Sequence, residues 1–164
     1  MSIVIEKVSL PEDFVTVESL AGEIWREHYT PIIGAAQVEY MLKNFQSLDA
    51  MKRQTGSEGY TYRMIKSDGI PAGYLATAIH GDRLFLSKIY IKKEYRGRGL
   101  SSKAIKLCED LCKENELRAI YLTVNKYNPS VKIYESLGFK TIDSVKTDIG
   151  SGFYMDDYIM EKTI

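Results

Sequence analysis

Residues 84–111 read LFLSKIYIKKEYRGRGLSSKAIKLCEDL and join three local patterns in one run. The segment Leu84–Ile91 is rich in β-branched and aromatic residues, which predicts a strand. The basic turn Arg96-Gly97-Arg98-Gly99 follows it. Beyond the turn, apolar residues recur every three or four positions, as on the buried face of an amphipathic helix. The stretch therefore predicts a strand, a glycine turn and a helix N-terminus in direct succession.

This succession is typical of an anion-binding site. The first amides of a helix have no backbone partners, and the helix dipole places partial positive charge there. Glycines let a phosphate approach the backbone, and the guanidinium groups of Arg96 and Arg98 suit bidentate phosphate contacts. The run has neither the Lys-Ser/Thr pair of a Walker loop nor, counted from Gly97, the third glycine of G-x-G-x-x-G. The run is therefore neither a Walker loop nor a complete dinucleotide fingerprint.

Two blocks resemble the GCN5-related N-acetyltransferase (GNAT) superfamily. Arg96–Ser101, RGRGLS, is similar to the family's pyrophosphate loop, usually written Arg/Gln-x-x-Gly-x-Gly/Ala. Asn128–Phe139, NPSVKIYESLGF, is similar to a second family block and follows after one predicted helix and one predicted strand. Two departures are visible: Ser101 stands where the family usually has Gly or Ala, and Tyr127 where it usually has Asn.

The resemblance implies one N-acetyltransferase domain, residues 1–164, with the α/β (α+β) GNAT fold. This fold has a central mixed, mostly antiparallel sheet of about seven strands, about four helices and a splayed central pair of parallel strands. The expected order is β-α-α-β-β-β-α-β-α-β-β. The chain's own patterns predict strands at Ser2–Ser9, Tyr60–Lys66, Ile70–His80, Leu84–Ile91, Ala119–Val124, Phe139–Asp148 and Phe153–Lys162. Besides the central helix they predict helices from Pro11 to about His28, Ala35–Phe45 and Ser130–Leu137.

Composition limits the classes of function. The 164 residues include 22 basic and 22 acidic side chains, so no general attraction to nucleic acid is expected. The N-terminal residues contain no apolar run long enough for a signal peptide or a membrane span, and we expect a cytoplasmic protein without a membrane partner. Cys108 and Cys112 lie one helical turn apart on the apolar face, and no Cys or His cluster completes a metal site. We expect both to pack in the core, and we expect no metal.

The resemblance also implies acetyl-CoA as co-substrate. In the family, the strand before the loop splays from its parallel neighbour, and its backbone holds the pantetheine and the acetyl carbonyl. By position, an N–H near Tyr90 or Ile91 is expected to face that carbonyl oxygen, and Asn125 or Asn128 to supply an amide to the pantetheine arm. The residues expected to bind the cofactor are Ile89, Tyr90, Ile91, Arg96, Gly97, Arg98, Gly99, Leu100, Ser101, Ser102, Asn125, Asn128 and Ser130.

Acetyl transfer to an amine needs a neutral acceptor nitrogen, a polarised thioester carbonyl and a proton for the departing thiolate. Tyr134 matches the family tyrosine that protonates the coenzyme A thiolate, and we predict it as the general acid. The sequence does not identify the general base. Some relatives have a Glu on the central strand, but Ser87 and Lys88 occupy that region here. Two possibilities remain for the general base, namely His28 and a relay through water.

Acceptor contacts are expected at the end of the first helix and in the C-terminal hairpin. The first segment offers Glu27, His28 and Tyr29, and the second offers acids and tyrosines among which we select Tyr154 and Asp156. Such side chains suit a cationic amine. HYTPIIGAAQVEYMLKNF and GFYMDDYIMEK are similar to bacterial acetyltransferases of the polyamine type.

The function predicted from these features is acetyl transfer from acetyl-CoA to a small-molecule primary amine. A small amine or polyamine is the first choice, a protein or peptide amine the second, and the transfer is expected to be direct within a ternary complex. Two alternatives stay open, namely a catalytically inactive acyl-CoA-binding sensor and another nucleotide-binding module. The sequence leaves open whether the chain forms a homodimer.

Overall fold

The computed structural model describes all residues, Met1–Ile164, as seven strands, six helices and one 3-10 turn at Lys93–Tyr95. The strands are β1 (Ile3–Lys7), β2 (Thr61–Ser67), β3 (Ile70–His80), β4 (Arg83–Ile91), β5 (Ala119–Asn125), β6 (Lys140–Gly150) and β7 (Phe153–Thr163). The helices are α1 (Pro11–His28), α2 (Thr30–Ile33), α3 (Ala35–Phe45), α4 (Leu48–Gly56), α5 (Leu100–Glu114) and α6 (Ser130–Ser136).

The strands form one sheet in the order β1-β2-β3-β4-β5-β7-β6. The pair β4–β5 is parallel, whereas β1–β2, β2–β3, β5–β7 and β6–β7 are antiparallel. The expected seven-stranded, mostly antiparallel mixed sheet is therefore confirmed. The parallel ladder stops at Phe85 and Tyr121, although β5 continues to Asn125 and pairs with β7 throughout. The central parallel pair is thus open beyond its third residue pair.

Two short helices, α2 and α4, add to the four expected ones. The break after α1 is itself one helical turn, α2, with Pro31 in its first turn, where proline's missing N–H costs nothing. The segment after α3 forms α4, because the Ser47 hydroxyl accepts a hydrogen bond from Ala50 N at 3.2 Å and caps the helix. No helix is both long and apolar enough to cross a bilayer.

The chain packs as two compact units. The first unit comprises residues 1–78 and 88–104, and it contains α1–α4, β1, β2 and most of β3. Helix α1 buries residues spaced three and four apart, including Val17, Leu20 and Ile24, as its periodicity predicts. The larger fully buried side chains of this unit include Tyr62, Tyr74, Met51, Ile65, Leu75 and Val38.

The second unit comprises residues 79–87 and 105–164, and it contains β5, β6, β7, α6 and most of α5. Its buried residues include Ile120, Leu122 and Met160 on the central strands. Cys108 and Cys112 are unbridged and fully buried, which confirms their predicted place in the core. The single domain predicted over residues 1–164 stays a prediction.

Candidate active site

The turn between β4 and α5 has an accessible backbone. Gly97 and Gly99 have φ of 75° and 83°, a left-handed region that favours glycine, and a Cβ at either position would meet no atom within 4 Å. Lys103 N donates to Gly99 O at 3.1 Å and is the first α5 amide with a backbone acceptor. The amides of residues 97–102 therefore have no backbone acceptor.

The two loop arginines differ in their partners. The Arg96 guanidinium donates to Glu27 Oε1 at 2.8 Å and to Ile91 O at 3.0 Å. Arg98 makes no ion pair, and its Cζ lies 5.4 Å from the centre of the Tyr95 ring. Arg98 can therefore meet an external anion without breaking an ion pair, whereas Arg96 ties the loop to α1 and β4. The same contact engages the carboxylate of Glu27, which the sequence had suggested as an acceptor ligand.

The backbone at the end of β4 has a defined direction. Lys92 N donates to Ala72 O at 2.8 Å, and a Cβ added to Gly73 would lie 2.4 Å from Tyr90 O. The backbone groups of Tyr90 and Lys92 thus face β3. Because the backbone groups of successive strand residues alternate in direction, the N–H of Ile91 faces the other way, as does that of Ile89. Of the two amides that the sequence left open, Ile91 N–H is the one directed away from β3.

Aromatic side chains of the first unit pack between α1 and β4. The rings of Trp25 and Tyr29 stack with centres 4.3 Å apart, and Tyr90 lies edge-on to Trp25 at 5.4 Å. The His28 ring contacts the edge of Tyr29 at 4.9 Å. Of the residues predicted at the end of α1, His28 and Tyr29 therefore belong to one aromatic cluster with Trp25 and Tyr90.

A buried cation on β4 was not foreseen. Lys88 is only 4 % exposed, and its ammonium donates to Phe45 O, Tyr62 Oη and, at 3.1 Å, Gln54 Oε1. Burial lowers the pKa of Lys88 from 10.5 to about 7. Its three donors meet three acceptors, so the group is satisfied within the protein. The available signal was that Lys88 continues the period-two pattern of the buried residues Leu84 and Leu86.

In the second unit, the predicted asparagines shape the turn from β5 into α6. Asn125 Oδ1 accepts from Tyr127 N at 2.9 Å, and Asn128 Oδ1 accepts from Ser130 N at 2.9 Å. Such bonds between a side chain and the backbone two residues on are typical of Asx turns. The Asn125 side-chain amide makes no hydrogen bond within the protein, so it is the asparagine with an unused donor.

Tyr134 lies on α6. Its ring contacts Phe139 edge-on at 5.8 Å, and its carbonyl accepts from Phe139 N at 3.0 Å. Its hydroxyl makes no hydrogen bond within the protein. Burial raises the pKa of Tyr134 above that of an ordinary phenol, so the hydroxyl is protonated at neutral pH. The group is therefore a proton donor without a protein acceptor.

The two neighbouring acids of the C-terminal hairpin, Asp156 and Asp157, lie on opposite faces of β7. Asp156 Oδ1 pairs with Lys126 Nζ at 3.0 Å, and Tyr154 is 48 % exposed with Lys146 Nζ 5.1 Å from its ring centre. Asp157, the neighbour in the chain, points to the opposite face and is only 5 % exposed. Burial raises the pKa of Asp157 to about 6. The sequence-based selection of Asp156 therefore chose the acid that already has a partner.

The predicted site residues fall into two groups. The loop, the end of β4 and residues Glu27–Tyr29 lie in the first unit, whereas Asn125, Ser130, Tyr134 and the hairpin residues lie in the second. Each group contains polar atoms without a protein partner: the loop amides in one, and the Tyr134 hydroxyl and the unpaired end of β5 in the other.

Comparison with known proteins identifies the family. Residues 29–156 match the family model described as the acetyltransferase (GNAT) domain. This chain belongs to the GNAT acetyltransferase family. Membership of this family makes the protein an acyltransferase, which confirms the enzyme class predicted from the sequence.

Individual relatives of the acetyltransferase agree with this assignment. It is 27 % identical over 167 residues to the spermidine N(1)-acetyltransferase of Thermoplasma acidophilum, covering 99 % of this chain and 98 % of the relative. A Bacillus subtilis protein provisionally described as a [ribosomal protein bS18]-alanine N-acetyltransferase is 35 % identical over 80 residues. That match covers 48 % of this chain and 53 % of the relative, about half its length.

A solved structure shares the complete fold. The PaiA N-acetyltransferase of Thermoplasma acidophilum, crystallised in complex with coenzyme A, superimposes with a TM-score of 0.84. The match covers 100 % of both chains at 25 % sequence identity. The GNAT fold expected from the two sequence blocks is therefore confirmed over the whole chain.

Proposed function

We propose that this acetyltransferase moves the acetyl group of acetyl-CoA onto the primary amine of a small cationic molecule, with a polyamine as the favoured acceptor. The observation that carries the proposal is the loop between β4 and α5. Its unpaired amides, its two open glycines and the guanidinium of Arg98 suit a diphosphate. The relatives add support, since one is named for spermidine and another was crystallised with coenzyme A.

Residues of this chain fit the remaining parts of the cofactor. The N–H of Ile91 is directed away from β3 and is suited to polarise a thioester carbonyl. The unused amide of Asn125 is a donor for the pantetheine arm. Acetyl-CoA, when bound, supplies the activated acyl group. Side chains and amides of the protein bind the cofactor, polarise the carbonyl and donate the proton.

Tyr134 is the proposed proton donor. As the acceptor nitrogen bonds to the acetyl carbon and the carbon–sulfur bond breaks, the phenol gives its proton to the departing sulfur. A proton released by the acceptor nitrogen then restores the phenol. A phenol has an ordinary pKa of about 10 and a thiol of about 8.5, and burial raises the pKa of Tyr134 further, so this transfer is uphill and depends on positioning. A hydroxyl without a competing protein acceptor meets that need.

The test compares Tyr134→Phe with Tyr127→Phe, a matched control in the same segment whose side chain is 77 % exposed. We expect Tyr134→Phe to lower turnover by about 100-fold or more, as loss of a general acid does, with acetyl-CoA affinity within about twofold of wild type. Tyr127→Phe should match wild type. Free-thiol release with an amine panel measures turnover, and calorimetry measures binding.

Three outcomes would reject parts of the proposal. Wild-type turnover in Tyr134→Phe removes the role of the phenol. Binding of acetyl-CoA without thiol release from any amine indicates an inactive acyl-CoA sensor. Preference for NAD or ATP over acetyl-CoA in a thermal-shift screen indicates a different nucleotide-binding module.

A further inference from the structure

Asp157 occupies a buried position between two strands. It lies on β7, opposite Asn125 of β5 on one side and Val145 of β6 on the other. Only 5 % of the residue is exposed. A buried carboxylate is costly unless charges or hydrogen bonds compensate it, so the partners of this group determine its role.

Asp157 has no such partner in the protein. The nearby cation, Lys126, pairs with Asp156 at 3.0 Å and lies 5.6 Å from the centre of the Tyr158 ring. Asn125, directly across the ladder, accepts from Tyr127 N with its side-chain oxygen, and its side-chain NH2 group makes no hydrogen bond to Asp157. The Asp157 carboxylate makes no hydrogen bond and no ion pair, although it is among the most buried polar groups of the chain.

The Asp157 carboxylate is nevertheless mostly ionised at neutral pH. Burial and the neighbouring charge of Asp156 raise the pKa of Asp157 to about 6, and Lys126 opposes this shift only weakly. At neutral pH the carboxylate is therefore mostly ionised, and the nearby cation Lys126 is engaged by Asp156. Buried ionisable groups of this kind are concentrated at binding and active sites.

Its position connects it with the proposed chemistry. Asn125, its cross-strand neighbour, is the last residue of β5, and the ladder from β4 has already stopped at Tyr121. Asp157 therefore lies level with the open part of β5, one strand away from the edge that β4 leaves free. The other acids suggested for the acceptor are already engaged, Glu27 by Arg96 and Asp156 by Lys126.

On this basis, and resting on the proposed acetyl transfer, we infer that Asp157 binds a second, non-reacting ammonium group of the acceptor. The reacting nitrogen must be neutral when it attacks, so the carboxylate acts on another cationic group and thereby selects acceptors. The chemical class that follows is a linear aliphatic diamine or polyamine. Monoamines lack the group that this carboxylate would hold.

The kinetic test pairs substrates that differ by one ammonium group, namely linear diamines from butane to octane and monoamines of equal chain length. We expect wild type to prefer the diamine about 10- to 100-fold in kcat/KM, and Asp157→Asn to reduce that preference to about twofold or less. Glu161→Gln is the matched control, since Glu161 lies on the same face of β7 but pairs with Arg83 at 3.1 Å. It should keep the wild-type preference. An undiminished preference in Asp157→Asn overturns the inference.

A binding measurement separates this inference from the proposed function. Calorimetry with spermidine, in the presence of coenzyme A, should show at least about tenfold weaker binding by Asp157→Asn, with unchanged affinity for coenzyme A reporting an intact fold. Spermidine binding that depends on Asp157, without any thiol release, supports the inference and rejects acetyl transfer. Equal spermidine affinity in wild type and variant, or no binding to wild type, overturns the inference even where monoamines are acetylated.

Discussion

Lys88 and Asp157 are both buried charges on central strands, yet their surroundings are opposite. Lys88 directs its ammonium to acceptors from α3, α4 and β2, and all three of its donors are used. One of these acceptors, Phe45 O, belongs to the last residue of α3, where helix carbonyls lack backbone partners and attract positive charge. The Asp157 carboxylate makes no hydrogen bond and no ion pair, and only the nearby charge of Lys126 favours its ionised form. Lys88 thus connects three elements, whereas the Asp157 carboxylate is the group that the inferred acceptor ammonium would compensate.

The largest expected effect concerns the proton equilibrium of Lys88. Its pKa is 10.5 when unfolded and about 7 when folded, so the unfolded chain binds more protons between these values and stability rises with pH there. From pH 7 to pH 9 we expect the free energy of unfolding of wild type to rise by about 2 kcal/mol more than that of Lys88→Met. Urea unfolding at several pH values measures this difference.

The groups near Lys88 that would modify this titration are Glu58, which favours the charged amine, and Tyr62, whose own pKa is raised by burial. Equal pH dependence in wild type and Lys88→Met would show that the amine is not desolvated as its contacts indicate. Lys88 would then no longer be a buried charge that can be contrasted with Asp157.

The next effect concerns the hydrogen bonds that satisfy Lys88. Tyr62→Phe removes an acceptor from the ammonium and a donor from Gln54, which leaves buried polar groups unpaired. We expect a loss of about 1.5 kcal/mol in the free energy of unfolding. Tyr60→Phe is the matched control, because the Tyr60 hydroxyl makes no hydrogen bond in the protein, and it should stay within about 0.5 kcal/mol. A neutral Tyr62→Phe would mean that the network contributes no stability.

The smallest effect has the opposite sign and concerns Asp157. At pH 7 the folded protein bears the cost of an unpaired buried carboxylate, so Asp157→Asn should raise the free energy of unfolding by about 1 kcal/mol. The pKa of this group is 3.8 when unfolded and about 6 when folded. Wild-type stability therefore falls as pH rises through this window, and the advantage of the variant should shrink below pH 6.

Thermal unfolding at pH 5 and pH 7 without ligand measures the advantage of Asp157→Asn. A destabilised variant at pH 7 would indicate that the carboxylate stabilises the fold, and the contrast with Lys88 would disappear. Glu161→Gln, which removes an anion that has arginine partners, should lose stability in the same measurement.

Much of the fold and part of the candidate site could be predicted from short-range patterns. The bounds of α3 and β3 agree with those expected from periodicity and turn residues, because both depend on neighbouring residues in the chain. The loop of Gly97 and Gly99 was predictable for the same reason, since a glycine turn followed by a helix creates its own anion site. Helix α2 was missed because it is a single turn and has little periodicity to detect.

Other features depended on residues far apart in the chain. The partner of Arg96 is Glu27, 69 positions away, and the acceptors of Lys88 are 26 to 43 positions away. No local pattern carries such pairings. The alternation of β7 showed that Asp156 and Asp157 face opposite ways, but not which of the two would be buried.

The order of residues was sufficient for the element types, the phosphate-binding turn and the family, because these arise from backbone propensity, periodicity and side chains a few positions apart. Folding alone settled which charged groups are compensated. Whether Lys88, Arg96 or Asp157 finds a partner depends on which strands and helices come together around it, and on how much water they exclude.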